Sequence, residues 1–266
     1  MTRALVTAEL RRLAATRLWW VGLLVAVGFG GGLTGALALT GPEHFTPPMP
    51  GLHTATGVRL VLGMLGFTAF VPAALGTLAM TTEYRYRTVD VTFLFVPARG
   101  RVVVAKLVAY TVAGLAYGAT LAVTAGLGLY GGAAARGVPL GLSASVVAGL
   151  LARIGVAMAV YTVLGVAVGA LLRNQILALA VVVGYLYAGE TLLMIIPGVN
   201  TLYPVLPGGA LSALTGFHYV ADAVAQQVPT GGIRLLPPTT GALLLLGYAA
   251  VAATVAVLAP LRRDVR

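Results

Sequence analysis

Apolar residues fall into six long blocks, at about 18–39, 58–80, 102–131, 145–172, 175–196 and 239–261, separated by shorter polar stretches. Each block reaches the roughly 20 residues that a helix needs to cross a bilayer core. The pattern predicts an all-α polytopic membrane protein with six transmembrane helices. Ahead of the first block, Val6, Leu10, Leu13 and Ala14 recur at helical spacing, with Glu9, Arg11 and Arg12 mostly off that face. Thr2 to Arg17 is therefore expected to be a basic amphipathic helix in the membrane interface. Trp19 and Trp20 follow where an aromatic belt belongs.

Several blocks carry small-residue faces or breakers. Gly28, Gly31, Gly32 and Gly35 form two overlapping GxxxG pairs in the first; Gly114 and Gly118, then Gly165 and Gly169, mark close-packing faces in the third and fourth. Pro72 should kink the second block by deleting a helical hydrogen bond. The third is long enough to tilt or to project beyond the bilayer. Arg173-Asn174 reads as a tight turn between the fourth and fifth.

Two polar intervals stand out. Thr81 to Lys106 is the longest stretch in the middle of the chain that cannot sit in lipid. Within it Val89, Val91, Phe93 and Phe95 alternate with Thr88, Asp90, Thr92 and Leu94, near strand period. A lone strand at a membrane surface leaves its backbone unpaired, so a short helix ended by Pro97 is expected. Pro197 to Pro238 stays apolar but is broken by Pro and Gly, which predicts one or two short helices lying in, or dipping into, the outer leaflet.

Composition agrees with this pattern. The 266 residues are 59% hydrophobic and 9% charged, against about 25% charged in a soluble domain. The net charge of +10 does not imply nucleic acid, because no basic cluster stands on a soluble fold. With both termini inside, 13 of the 17 basic residues fall in cytoplasmic segments; the other four are Arg59, Arg136, Arg153 and Arg234. The positive-inside rule then places both ends in the cytoplasm. The arginines before Leu18 and the Ala36-Leu37-Ala38 triplet resemble a signal peptide, but the apolar run exceeds an h-region, so no cleavage is expected.

Candidate chemistry is sparse. No cysteine is present, which excludes thiolate catalysis and Cys-bound metals. His44 and His53 lack carboxylate support at ligand spacing. The single lysine, Lys106, lies in no GxxxxGK sequence, so the chain has no P-loop, and it has neither GxSxG nor HExxH. Nor is there a polar cluster of the kind a lipid-modifying enzyme would need, so no catalytic residue is expected. Arg153 and Glu190 lie inside the fourth and fifth blocks, about one turn apart in height above Arg173-Asn174. An intramembrane charge pair is expected there, as a functional candidate or a purely structural pair.

Three segments carry a family resemblance. AELRRLAATRLWWVGLL resembles the amphipathic entry helix of ABC-2-type transporter permeases. EYRYRTVDVTFLFVPARGRVVVAK resembles that family's order of Glu, Thr, apolar residues, Pro, Arg and Lys, here Glu83, Thr88, Pro97, Arg101 and Lys106. LYPVLPGGALSAL resembles its outer re-entrant segment. Arg87 departs from the Gly often found before the Thr.

The resemblance implies one ABC-2-type transmembrane domain over residues 1–266, in a bacterial inner membrane. It implies pairing as a homodimer, or as a heterodimer with a sister permease. A cytoplasmic ATP-binding subunit would carry the ATP and Mg, with no cofactor in this chain. The segment between the second and third spans would be the coupling helix. Its ATPase-coupling residues would be Glu83, Tyr84, Arg85, Arg87, Thr88, Asp90, Phe93 and Pro97, with Arg99, Arg101 and Lys106 as headgroup anchors. Export of a hydrophobic or amphipathic cargo (drug, antibiotic, lipid or glycoconjugate) is the expected function, along a path that includes Thr120, Thr124, Tyr161 and Tyr185. The alternatives are an ion-coupled secondary transporter, and a membrane scaffold or immunity protein without transport.

Overall fold

The computed structural model describes residues 2–86, 99–172, 174–227 and 233–261. The short helix expected over 88–95, and with it Arg87, Thr88, Asp90, Phe93 and Pro97, lies outside the described residues. So does the side chain of Arg99.

Among the described residues all regular structure is helical. We label α1 (Thr2–Ala14), α2 (Leu18–Thr40), α3 (Ala55–Arg85), α4 (Arg99–Ala135), α5 (Ala144–Leu171), α6 (Gln175–Ile195), α7 (Pro207–Thr215), α8 (Tyr219–Gln227) and α9 (Pro238–Leu261). Helices α2, α3, α4, α5, α6 and α9 are long and apolar enough to cross a membrane. The six blocks of the sequence thus become six candidate spans.

Local chemistry sets several helix ends. Thr54 caps α3 by accepting the Gly57 N–H at 3.0 Å, and Asn174 caps α6 by accepting the Leu177 N–H at 3.1 Å. Pro207 opens α7, and Gly216 closes it in the left-handed region at φ 68°. The Trp19 indole N–H donates to the Ala14 carbonyl at 3.1 Å, satisfying a free acceptor at the end of α1.

Two helices are longer than the apolar blocks implied. α3 continues to Arg85, so Glu83, Tyr84 and Arg85 are helical rather than part of a separate loop. α4 runs 37 residues, about 55 Å at helical rise, well beyond a 30 Å hydrocarbon core. The break that Pro72 predicts appears one turn earlier, as a 3-10 stretch over Met64–Ala69. Pro72 has no N–H for the Thr68 carbonyl and its ring crowds that group, so the distortion falls on the N-terminal side.

α5 is the axle of the bundle. Some 78% of its most apolar stretch is buried, against 28% for α2, 17% for α6 and 22% for α9, which makes those three the outer faces. α5 packs on α3 on one side and α4 on the other. Both contacts are backbone-close: a Cβ on Gly118 would collide with the Gly155 carbonyl, and one on Gly165 with the Ala73 carbonyl. Small residues permit this approach, and dispersion over long contact lines rewards it.

The glycine face of α2 is more divided than its spacing implied. Gly35 meets Gly128 and Gly31 meets Thr124, but a Cβ on Gly28 or Gly32 would meet nothing, whereas Gly30 presses on α4. A π-helical turn over Gly28–Leu33 explains this. Its wider turn carries an extra residue, which rotates the following face away from a 3.6-residue register.

Replacing Gly165 by Leu should force α5 off α3. The expected outcome is a loss of at least about 2 kcal/mol, read as a lower midpoint in thermal unfolding followed by helical circular dichroism. Gly28→Leu, at an open position, should leave the midpoint unchanged.

Candidate functional site

The first candidate site is a buried charge quartet at the end of the bundle that carries α1. The apolar face read from the sequence, Val6, Leu10 and Leu13, packs against α3 and α4 together with Met80, Val103, Leu107 and Tyr110. Glu9 lies between those residues on the same face, not off it, and is 7% exposed. It is carried inward because residues 6, 9, 10 and 13 share one side of a helix.

Lys106, on the first turns of α4, is 1% exposed. Its ammonium donates to Glu9 Oε2 at 2.7 Å and to Glu83 Oε1 at 2.8 Å. Arg12 closes the set, bonding Glu83 directly and reaching Glu9 Oε1 at 3.4 Å. Two carboxylates and two cations cancel. Burying either carboxylate without its cation would leave an uncompensated charge in a poorly solvated place. The quartet therefore binds three elements that are far apart in sequence: α1, the end of α3 and the beginning of α4.

This placement corrects one expectation. Lys106 does not reach outward as a headgroup anchor, and Glu83, expected among the ATPase-coupling residues, is 7% exposed and turned inward. The physical reason is shared: each finds an opposite charge inside the protein. Tyr84 is half-buried against the same apolar cluster. Arg85 is exposed, donates to the Gln175 side chain at 3.2 Å and lies over the Tyr86 ring at 5.8 Å. Arg101 is exposed.

The second candidate site surrounds Glu190, which is 3% exposed. It follows a π-helical turn over Tyr185–Gly189 in α6. Its Oε1 accepts the Gly208 N–H at 3.0 Å, the Gly209 N–H also serves the carboxylate, and the Tyr185 hydroxyl approaches it. The carboxylate thus satisfies free N–H groups at the start of α7, where the helix dipole favours negative charge. Gly208 permits the close approach, since a Cβ there would press on Glu190 Oε2 and the carboxylate would have to shift.

The expected pair between Arg153 and Glu190 is not formed. Arg153 is exposed, on a face of α5 turned to Leu214 of α7 and Leu245 of α9. Chain position gives the height of a residue along a helix but not its direction around it. α6 lies chiefly on α3 rather than flat along α5, which takes Glu190 away from Arg153.

Two cavities adjoin the Glu190 site. One of about 90 Å3 lies among Glu190, Tyr161, Tyr187, Tyr203, Ser212 and Phe217. The other, about 390 Å3, is walled by apolar side chains of α5, α6 and α9, including Leu164, Val168, Val182 and Val251. Tyr161 and Leu186 line both. Of the four residues expected on a path, Tyr161 and Tyr185 line cavities. Thr120 and Thr124 instead bond back to their own helix, and Thr124 also reaches the Ala26 carbonyl of α2 at 3.3 Å.

At the far end of the bundle Arg136 pairs with Glu43. The Arg136 hydrogen bond holds the Glu43 carboxyl below the usual carboxylate range. Among the described residues no group of three or more His, Cys, Asp or Glu could hold a metal ion. No protein-family model matches the chain, and no curated protein matches it significantly.

Lys106→Met leaves the quartet with an unbalanced negative charge and should cost about 3–5 kcal/mol of stability in detergent unfolding. Adding Glu83→Met restores neutrality, with Arg12 still facing Glu9, and should recover most of that loss. For Glu43 the folded pKa is lowered, so its stabilisation is complete above the ordinary carboxylate pKa and disappears as pH falls through the folded value. Wild type and Glu43→Gln should therefore differ slightly in thermal midpoint at pH 7 and converge once pH falls below the lowered folded value.

Proposed function

We propose that this protein is the membrane permease subunit of an ABC-2-type exporter, driven by a separate ATP-binding subunit. The observation that carries the reading is the neutral quartet. Glu83 and Lys106 stand on the two helices that bracket residues 87–98 and pair with each other, and each is tied to α1, Lys106 through Glu9 and Glu83 through Arg12. A force applied at the intervening segment is passed to both helices and to α1 together, because separating them would expose buried charge.

Two sequence features support the same reading. The chain has six candidate spans and no P-loop, so a nucleotide-driven cycle needs a second polypeptide. Exposed Arg85 and Tyr86 stand at the edge of the bracketed segment, available to a partner. In this account the ATP-binding subunits, with ATP and Mg, close beneath a pair of permeases. The segment between α3 and α4 is the lever, and the spans rock as rigid bodies. The short helices α7 and α8 form the outer re-entrant element. Both termini are cytoplasmic, in a bacterial inner membrane, and the cargo is hydrophobic or amphipathic.

The test is whether the neighbouring reading frame encodes a P-loop protein and, if so, co-expression with it. The expected result is co-purification as a stable complex whose ATP hydrolysis drives cargo into inverted vesicles. Reversing Arg85 and Arg87 to Glu should abolish co-purification while leaving the permease folded. Transport by the purified chain alone, under an ion gradient, would replace this reading with a secondary transporter.

A further inference from the structure

The smaller cavity has an unusual lining. Among the described residues Glu190 is the one charged residue that lines it, and it forms no ion pair. Six aromatic rings share the wall: Phe67, Phe70, Tyr161, Tyr187, Tyr203 and Phe217. The rings are held in place. The Tyr187 hydroxyl donates to the Phe67 carbonyl at 2.6 Å, Tyr203 and Ser212 are bonded at 3.1 Å, and Phe67 meets Phe217 edge-on at 6.0 Å. Arg59 lies against Gly216 at the other end of α7 and is not in the lining.

A carboxylate among aromatic faces is the chemistry that recognises an ammonium group. The ring quadrupoles attract a cation without requiring hydrogen bonds, and the desolvated carboxylate supplies the full countercharge. Neutral or anionic head groups gain neither. Beyond Tyr161 and Leu186 lies the 390 Å3 cavity, whose walls carry no charged residue. A ligand that fills both has a compact cationic head and an apolar body.

We propose that Glu190 and its aromatic wall form a binding site for lipophilic amines and quaternary ammonium compounds, with the apolar body seated between α5, α6 and α9. As the identity of a cargo, this rests on the exporter reading above; as a binding site, it does not. The site also explains why a carboxylate is retained inside a span. Its partners are two backbone N–H groups and a tyrosine hydroxyl, which leave room for a cation on its cavity side.

The test uses the full-length protein in lipid nanodiscs without an ATPase, titrated calorimetrically with tetramethylammonium and hexyltrimethylammonium. Hexanol and hexyl sulfate are the neutral and anionic controls. Both ammonium probes should bind, the hexyl compound more tightly, and the controls should not. Glu190→Gln should weaken both ammonium probes by more than about tenfold. Phe70→Leu should weaken both by about three- to tenfold. Val251→Phe, which fills the apolar cavity, should remove the advantage of the hexyl chain and leave tetramethylammonium unchanged.

Helical circular dichroism of each variant establishes that it is folded. If Glu190→Gln does not fold, the Phe70 and Val251 variants carry the test. Equal binding of hexanol, or undiminished ammonium binding in both Glu190→Gln and Phe70→Leu, would overturn the proposal. Failure to bind in a chain that still pairs with its ATPase would refute this cargo class and spare the exporter reading. Binding in a chain that pairs with no ATPase would do the reverse.

Discussion

Charge neutrality inside a poorly hydrated bundle is the constraint on which the rest of this structure depends. Lys106 is buried almost completely, and it can be so because Glu9 and Glu83 stand within hydrogen-bond reach on two other helices. Arg12, half-exposed at the rim, balances the second carboxylate. None of the four could be buried alone at acceptable cost. Their mutual dependence fixes α1 to the bundle and sets the spacing between the end of α3 and the start of α4. The apolar contacts of Val6, Leu10 and Leu13 add burial, but apolar contacts are non-directional and would tolerate sliding. The charged contacts determine the register.

Glu190 solves the same problem by different means. Instead of a cation it uses backbone N–H groups at the start of α7, made accessible by a glycine and by the proline that opens the helix. This arrangement holds α7 against α6 and gives the carboxylate a fractional countercharge from the helix dipole. Among the described residues no cationic side chain pairs with it. The quartet is closed and structural in its balance, whereas the Glu190 site is open on its cavity side. That difference separates a charge-balanced junction at one end of the bundle from a cavity-facing carboxylate nearer the other.

The two sites are joined by α3 and α5. The 3-10 stretch of α3 puts Phe67 and Phe70 on the Glu190 cavity, and the same helix ends at Glu83 in the quartet. α5 carries Tyr161 between the cavities and is clamped to α3 through Gly165 and to α4 through Gly118. The quartet and the cavity walls are thus joined through helices in backbone contact.

Much was legible in the chain itself. The six spans follow from apolar length, since a bilayer demands a continuous run and the residues either supply it or do not. The amphipathic face of α1, the two glycine contacts of α5 and the distortion near Pro72 follow from local periodicity and covalent geometry. Pairing did not follow. Glu9 and Lys106 are 97 positions apart and Glu190 and Gly208 are 18 apart across a turn, and spacing along one helix cannot report which residue of another it will meet. Arg153 shows the limit most clearly: its height matched that of Glu190, yet the direction of its side chain is set by how α5, α7 and α9 pack. The sequence by itself determined which segments leave water, because transfer free energy is a local sum over residues. Only the tertiary structure decided which buried charges meet, because that depends on the rotation of each helix about its own axis, which only packing against the others can set.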